Sequence, residues 1–220
     1  MKTPFERWDG CQDLYDSMTE LLSDPYWSPG RDYSFTIKEN DSETVVSSLH
    51  GGGIEPGTTE VACLVSEKGG FTYFDFNGRL RKSNTILHVT SNHYDEKNIV
   101  RISHEKKHHL AFHGCMGKES VTYIGGLNYS LRNAIWSSLE AYGFQVELAP
   151  FHIGGNNPVN VCNRTKIGKG VQFELSEGLR RSFFSEGKWN RPRRRECVNW
   201  TNTLFHYAEA VIKGYEGYIK

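Results

Sequence analysis

The stretch SSLHGGGIEPGTTEVA, residues 47–62, places His50, three consecutive glycines and Glu55 within six positions. Glycine loses more backbone entropy on folding than any other residue, so a run of three indicates a backbone that must turn sharply or pass close to another group. Pro56 and Gly57 then fix a second turn. On such a loop His50 and Glu55 can both reach one divalent cation. The alternative is a tight turn with a hydrogen-bonded histidine and a solvated glutamate.

The overall composition limits the classes of protein that the chain can belong to. Its 220 residues suit one domain, and 24% charged residues with a formal net charge of zero are ordinary for a globular protein. The opening MKTPFERWDG has no apolar stretch of the kind a secretion signal needs, and no later run is apolar enough to cross a membrane. The five cysteines form no Cys-x-x-Cys pair. We therefore expect synthesis in the reducing cytoplasm, no membrane partner, and cysteines that are buried and inert.

Strand-like and helix-like segments alternate along the chain. This alternation predicts an α/β fold, a mixed β-sheet with helices on both faces, in a single domain over residues 1–220. Ligands in open α/β sheets bind beyond the carboxyl ends of the strands, so polar residues at strand ends are the first candidates for a site. Strands are predicted at 33–37, 43–48, 71–76, 85–90, 108–112, 121–124, 144–148 and 171–175, and helices at 4–22, 59–67, 98–104, 130–142 and 198–215.

A second candidate ligand lies in HHLAFHGCMG, residues 108–117. His113 ends the predicted strand, and Gly114 allows the backbone to turn away from it. We expect His108 and His109, at the entrance of the strand, to be ordinary exposed residues. His88 lies inside a predicted apolar strand and is expected to be a hydrogen-bonded core residue.

The third candidate is Glu174, in the strand VQFELS, residues 171–176. Apolar and polar residues alternate there, so one face of the strand carries a carboxylate. An exposed edge strand is one interpretation. If Glu174 faces a cavity instead, it is the natural general base.

Two histidines and one carboxylate form a catalytic zinc set that leaves a fourth position for water. A neighbouring carboxylate that does not bind the metal can take the proton of that water and pass it to a departing amine. Together, His50, Glu55, His113 and Glu174 are sufficient for metal-assisted hydrolysis.

Four motifs between residues 33 and 181 resemble those of the zinc-dependent poly-γ-glutamate hydrolases of Bacillus and its bacteriophages. They are LHGGGIEPGTTE, ILHVTSNHYDE, LAFHGC and CNRTKIGKGVQFELSEGLR, in that order. The resemblance implies an architecture similar to that of the zinc carboxypeptidases. It also implies one zinc ion per chain, held by His50, Glu55 and His113, with Glu174 as the catalytic carboxylate that cleaves γ-glutamyl amide bonds. Lys97 departs from the family pattern, where proline is expected, and leaves the roles of His93 and Asp95 open.

A polyanionic substrate calls for cations near the site. Residues 164–195 carry ten Lys and Arg residues against three Glu residues, an excess of seven in a chain of zero net charge. Such a field steers acidic polymers, and arginine suits carboxylate binding. Arg164, with its neighbour Asn163, is the first candidate for substrate binding, and Arg180 and Arg181 follow. The run KWNRPRRRE, residues 188–196, is open to three interpretations: a solvated loop, a carboxylate-binding surface or a nucleic-acid-binding patch.

Two other functions compete with hydrolysis of poly-γ-glutamate. The same zinc site can act on another acyl-amino-acid or on a peptidoglycan amide. A basic, non-catalytic nucleic-acid-binding protein is the third hypothesis, which the four-residue constellation disfavours. We expect a monomer with no nucleic-acid partner, released by cell lysis if its polymer lies outside the cell.

Overall fold

The computed structural model describes residues 2–220, and within them seven strands form one mixed sheet of order β1-β3-β2-β4-β7-β5-β6. Strand β1 runs antiparallel to β3 and β5 antiparallel to β7, whereas the other neighbours are parallel. The strands are β1 (Tyr33–Lys38), β2 (Thr44–Gly52), β3 (Thr72–Gly78), β4 (His108–Cys115), β5 (Val121–Gly125), β6 (Gln145–Leu148) and β7 (Val171–Ser176). The helices are α1 (Pro4–Arg7), α2 (Met18–Ser23), α3 (Thr58–Gly69), α4 (Lys97–Glu105), α5 (Tyr129–Ala141), α6 (Glu177–Ser182), α7 (Arg191–Arg194) and α8 (Asn202–Ile219), with 3₁₀ turns at Asn84–Leu87, Val161–Asn163, Ser185–Gly187 and Cys197–Asn199.

Hydrophobic cores lie on both faces of the sheet. Because successive residues of a strand point to opposite faces, Val45 joins one core and Val46 the other. Helices α3, α5 and α8 contribute to the core around Val46, and α2 and α4 contribute to the core around Val45. The predicted α/β class, with helices on both faces of a mixed sheet, is confirmed, and the arrangement is compatible with the expected likeness to zinc carboxypeptidases.

Strand β4 lies at the centre of the sheet, between β2 and β7, and runs parallel to both. Its position makes the prediction of exposed histidines wrong. His109 is fully buried and bonded to Ser47 and Ser103, at 2.7 and 3.0 Å. His108 is also buried and packs against the rings of Tyr215 and Tyr218. Because β2, β4 and β7 are parallel neighbours, their carboxyl ends meet at one edge of the sheet.

The glycine run at the end of β2 is explained by close packing more than by turning. Only Gly52 has a left-handed backbone, with φ of +67°. A Cβ on Gly51 would lie 2.2 Å from Asp75 Oδ1, and one on Gly53 would lie 2.4 Å from the amide nitrogen of Asn84. The pairing of β2 with β3 also shifts register between Ser48 and Gly51, an irregularity of the kind that bends a strand locally.

Several predicted elements differ from the structure. Residues 4–22 form the two short helices α1 and α2 instead of one, because Asp9 accepts backbone hydrogen bonds in a turn at Gly10, where φ is +82°. Residues 85–90 form no strand; Asn84–Leu87 is a 3₁₀ turn outside the sheet. The last helix begins at Asn202, four residues later than expected. Among residues 2–220, no helix combines the length and apolar character needed to cross a membrane.

The buried Asp75 makes stability depend on pH. Burial raises its pKa to about 7, although the hydrogen bond from Thr59 acts in the opposite direction. Between roughly pH 4 and pH 7 the folded protein keeps a proton that the unfolded chain has lost. The unfolding free energy therefore falls as the pH rises through this window.

Asp75→Asn is expected to remove this contribution, because asparagine stays neutral and can still accept the Thr59 hydrogen bond. Between pH 5 and pH 8 the unfolding free energy should fall by about 2–3 kcal/mol less in the variant than in the wild type, as measured by urea denaturation. Asn at the exposed Asp41 is the control and should leave the slope unchanged. Equal pH slopes for wild type and Asp75→Asn would contradict the assignment.

Candidate metal centre and catalytic cavity

Three side chains from two strand ends and one loop converge at the edge of the sheet. His50 Nδ1 lies 3.1 Å from Glu55 Oε1 and 3.1 Å from His113 Nδ1, and the Glu55 Oε2–His113 Nδ1 distance is 3.9 Å. One ligand atom from each residue lies within 4.8 Å of the others. These are the three residues that the sequence indicated as metal ligands, although His50 and His113 lie 63 positions apart along the chain.

The opposite ring nitrogens are engaged elsewhere, which orients both imidazoles. His50 Nε2 lies 2.9 Å from the Val89 carbonyl oxygen, and a carbonyl only accepts, so Nε2 carries the proton in neutral His50. His113 Nε2 lies 3.4 Å from Ser91 Oγ. The backbone N–H of Gly114 donates to Glu55 Oε2 at 2.8 Å and holds the carboxylate in place. Both Nδ1 atoms are left to face the shared space.

The electrostatics of the cluster favour a cation at its centre. Burial acts to raise the pKa of Glu55, but the charge of the adjacent His50 and its hydrogen bond outweigh burial and lower the pKa to about 2. Burial lowers the pKa of His113 to about 3, so its imidazole is neutral. Burial acts to lower the pKa of His50, but the charge of Glu55 outweighs burial and raises that pKa, so a proton on His50 Nδ1 balances the carboxylate when no metal ion is bound. A cation bound between the three residues takes the place of that proton.

The donor set fits zinc. Two ligand atoms bound tetrahedrally to one zinc ion at about 2.0–2.2 Å lie roughly 3.3 Å apart, close to the separations found here. The imidazole N–H groups that point away from the centre find acceptors at Val89 and Ser91, the second layer that orients metal-binding histidines.

Glu174 lies next to His113 in the register of the sheet, so both side chains project from the same face of paired strands. It is 6% exposed and lines the same cavity as the three converging residues. Gln172 Nε2 donates to Glu174 Oε1 at 2.9 Å, and Asn160 Nδ2 donates to Gln172 Oε1 at 3.0 Å. Burial, followed by the nearby negative charge of Glu55, raises the pKa of Glu174 well above its usual range.

The cluster opens into a cavity of about 910 Å³. Within the described part of the chain, Arg180 is the only Lys or Arg that lines it. The Arg180 guanidinium donates to the carbonyls of Leu175, Pro56 and Cys115, at 2.8–2.9 Å. Three of its five N–H groups are thus engaged and two remain for a ligand. Trp189, another lining residue, stacks beneath this guanidinium, with 5.4 Å between Cζ and the ring centroid.

None of the other predicted substrate-binding residues lines the cavity, although Arg181 packs on a residue that does. Asn163 is 2% exposed, and its amide bonds to four backbone groups, which shapes the loop before β7. The Arg164 guanidinium donates to the carbonyls of Val159, Tyr94 and Asn92. Arg181 is exposed, forms an ion pair with Glu177 and packs on Trp189 at the cavity wall. Asn163 and Arg164 hold loops together, and this arrangement does not favour substrate contact.

Sequence analysis did not assign His88 and Gln172 to the site, although both line the cavity. His88 is a cavity residue and not a core one: its ring centroid lies 3.9 Å from that of His50, and its Nδ1 lies 2.6 Å from Asp13 Oδ1. The β-branched residues around His88 predicted a strand, but this segment lies outside the sheet and pairs with no strand. Gln172 had a usable signal, because it lies two positions before Glu174 and therefore on the same face of β7.

Two positions left open by sequence analysis, Lys97 and Asp95, have structural explanations. Lys97 is the first residue of α4, a position that proline also favours, so the departure from the family pattern is tolerated. Asp95 accepts a backbone hydrogen bond from Thr19.

The expectation of buried cysteines is wrong for Cys11 and Cys197, which are exposed. All five cysteines are free.

Comparison with known proteins gives consistent matches. The family model described as poly-gamma-glutamate hydrolase matches residues 15–210. The structure is similar to that of a bacteriophage poly-gamma-glutamate hydrolase, with a TM-score of 0.90 and 35% identity over 94% of this chain and 99% of that chain. A zinc-free structure of YndL matches with a TM-score of 0.85 and 28% identity, over 93% of this chain and 98% of that one. In sequence, YndL of Bacillus subtilis (strain 168) is 31% identical over 79% of this chain and 68% of its own length. YmaC of the same strain is 29% identical over 92% of this chain and 83% of its own length.

Gly114→Ala is expected to disturb the cavity wall. The new Cβ would lie 2.6 Å from Arg180 Cζ, and the guanidinium cannot move without losing buried hydrogen bonds to three carbonyls. The unfolding free energy should fall by about 1–3 kcal/mol, as measured by chemical denaturation. Gly217→Ala in α8, with no atom within 4 Å of the new Cβ, is the matched control and should be neutral or stabilising. Equal stability of the two variants would contradict the role given to Gly114.

Proposed function

Because the chain belongs to the poly-gamma-glutamate hydrolase family, we propose that it hydrolyses the γ-glutamyl amide bonds of that polymer with one zinc ion per chain. The observation that carries this proposal is the convergence of two imidazole nitrogens and a carboxylate in a cavity that also holds a buried carboxylate. We propose that residues 1–220 act as one domain in this reaction.

His50, Glu55 and His113 would hold the zinc ion. Two histidines and one carboxylate are a zinc set that leaves a coordination position free. The likeness to YndL, whose structure is described as zinc-free, supports zinc over other metals. When bound, the ion supplies a Lewis acid that activates water and polarises the amide carbonyl.

Glu174 would move the proton. Its carboxylate accepts a proton from the attacking water as the new C–O bond forms at the carbonyl carbon. It then delivers that proton to the amide nitrogen as the C–N bond breaks, which gives a free carboxylate and a free amine. The Gln172 amide holds Glu174 Oε1, and Asn160 fixes which side of that amide faces the carboxylate.

Arg180 would bind a carboxylate of the polymer inside the cavity. Each γ-linked residue carries one free carboxylate, and two N–H groups of Arg180 are available for it. Arg181 lies at the same wall, but it is exposed and already forms an ion pair with Glu177. Its attraction for a carboxylate of the polymer would therefore be weaker than that of Arg180. Burial gives Arg180 the stronger interaction, because its charge is less screened by water.

Glu174→Gln is expected to lower kcat by about 10²–10⁴-fold, because glutamine cannot accept the proton of water. Zinc content, measured by elemental analysis of the purified protein, should remain close to that of the wild type, since Glu174 is not a proposed ligand. His113→Ala should lose both zinc and activity. Glu177→Gln, at another carboxylate lining the cavity, is the control and should keep most of the turnover.

The substrate assignment is tested on purified poly-γ-glutamate by sizing of the products, with and without a chelator. Cleavage that the chelator abolishes is expected, together with no cleavage of an α-linked glutamate polymer. Full turnover by Glu174→Gln would overturn the mechanism, whereas faster cleavage of cell-wall fragments than of poly-γ-glutamate would overturn the substrate.

A further inference from the structure

A second cavity, of about 340 Å³, lies beside strands β1 and β3 and shares no lining residue with the first. Its walls include polar residues of β3, the start of α3 and the basic segment around α7. Four arginines line it: Arg79, Arg191, Arg194 and Arg195. Most arginines of the basic run at 188–196, whose function the sequence left open, therefore line this cavity.

The arginines of this cavity are unequal. Arg194 is buried, forms an ion pair with Glu60 at 3.1 Å and donates to the Gly52 carbonyl, so it is a structural residue. Among residues 2–220, no carboxylate forms an ion pair with Arg79, Arg191 or Arg195.

These cations lie close enough to repel one another. Arg191 donates to the Arg79 carbonyl at 3.1 Å, which brings the two residues together. Burial, and then the charges of Arg79 and Arg195, lower the pKa of Arg191. A group of like charges without a counter-ion destabilises the free protein and is relieved by an anion.

The same cavity holds a buried acceptor without a partner. Glu60 is 6% exposed; its Oε1 accepts from Arg194, but its Oε2 has no hydrogen-bond partner. That oxygen is closed off from solvent, so a ligand in the cavity does not reach it, and the Glu60–Arg194 pair forms part of the buried wall. The ligand that matches the three remaining arginines therefore carries several anionic groups.

A γ-glutamyl chain meets this requirement, with one free carboxylate in every residue. We propose that the second cavity binds a segment of poly-γ-glutamate away from the bond being cleaved, with carboxylates on Arg79, Arg191 and Arg195. This inference rests on the proposed function.

The segment from Trp189 to Arg195 connects the two cavities. Trp189 lines the first, and Arg191, Arg194 and Arg195 line the second. A long polymer that occupies one cavity is held at high effective concentration near the other, whereas a short oligomer gains nothing from the second. The second cavity should therefore favour long chains over short ones.

The test compares the wild type with the double variant Arg79→Gln/Arg195→Gln, which leaves the buried Arg194 intact. We measure kcat/KM of the zinc-loaded enzymes on long poly-γ-glutamate and on a γ-linked trimer. The ratio of the two values, long over short, should fall roughly tenfold, the equivalent of about 1.4 kcal/mol. The control Lys97→Gln/Arg132→Gln removes two positive charges outside both cavities and should keep the wild-type ratio.

A binding measurement separates this inference from the proposed function. Fluorescent poly-γ-glutamate is titrated into zinc-loaded Glu174→Gln protein with and without the Arg79 and Arg195 substitutions, across a salt series. The substitutions should raise Kd about tenfold and flatten its dependence on salt, even if the wild type were found not to cleave the polymer. An unchanged ratio together with an unchanged Kd would overturn the second site. A single-stranded oligonucleotide that binds more tightly than the polymer, and loses that affinity on substitution, would assign the cavity to nucleic acid instead.

Discussion

The site depends on a positive charge at the point where three acceptor atoms meet. His50 Nδ1, His113 Nδ1 and the Glu55 carboxylate approach to 3.1–3.9 Å, while the opposite ring nitrogens of the two histidines contact Val89 and Ser91. Without a cation, a proton must fill this role. The sheet enforces the arrangement, because parallel β2 and β4 end at the same edge and the Gly114 N–H holds the carboxylate.

The backbone around the site is shaped by close packing against polar side chains. Gly51 and Gly53 leave room for Asp75 and Asn84, and Gly114 leaves room for Arg180. The position of Glu55 relative to His50 is therefore set by contacts that a sequence motif records only as a run of glycines. That glycine run carries a cost in backbone entropy, which the packing contacts of the folded loop must offset.

Much of the fold and of the metal cluster was predictable, because both follow from local patterns. His50 and His113 each follow a predicted strand, and Glu174 lies on the polar face of another, and these local patterns identified all three. Residues whose roles depend on tertiary contacts were not predictable. Asn163 and Arg164 have the chemistry of ligand-binding residues, but neighbouring loops offer them backbone groups. Predictions that depended on exposure failed for the same reason. The buried pair of histidines that opens β4 and the cavity-lining His88 show that the surroundings of a segment cannot be inferred from its own residues.

The central claim is that one zinc ion binds between His50, Glu55 and His113. The most direct test is diffraction at the zinc absorption edge from crystals of protein loaded with one equivalent of zinc. The account predicts a single anomalous peak about 2.0–2.2 Å from both Nδ1 atoms and from a Glu55 oxygen. A peak elsewhere in the molecule, or a His113 ring turned away from the peak, would contradict it.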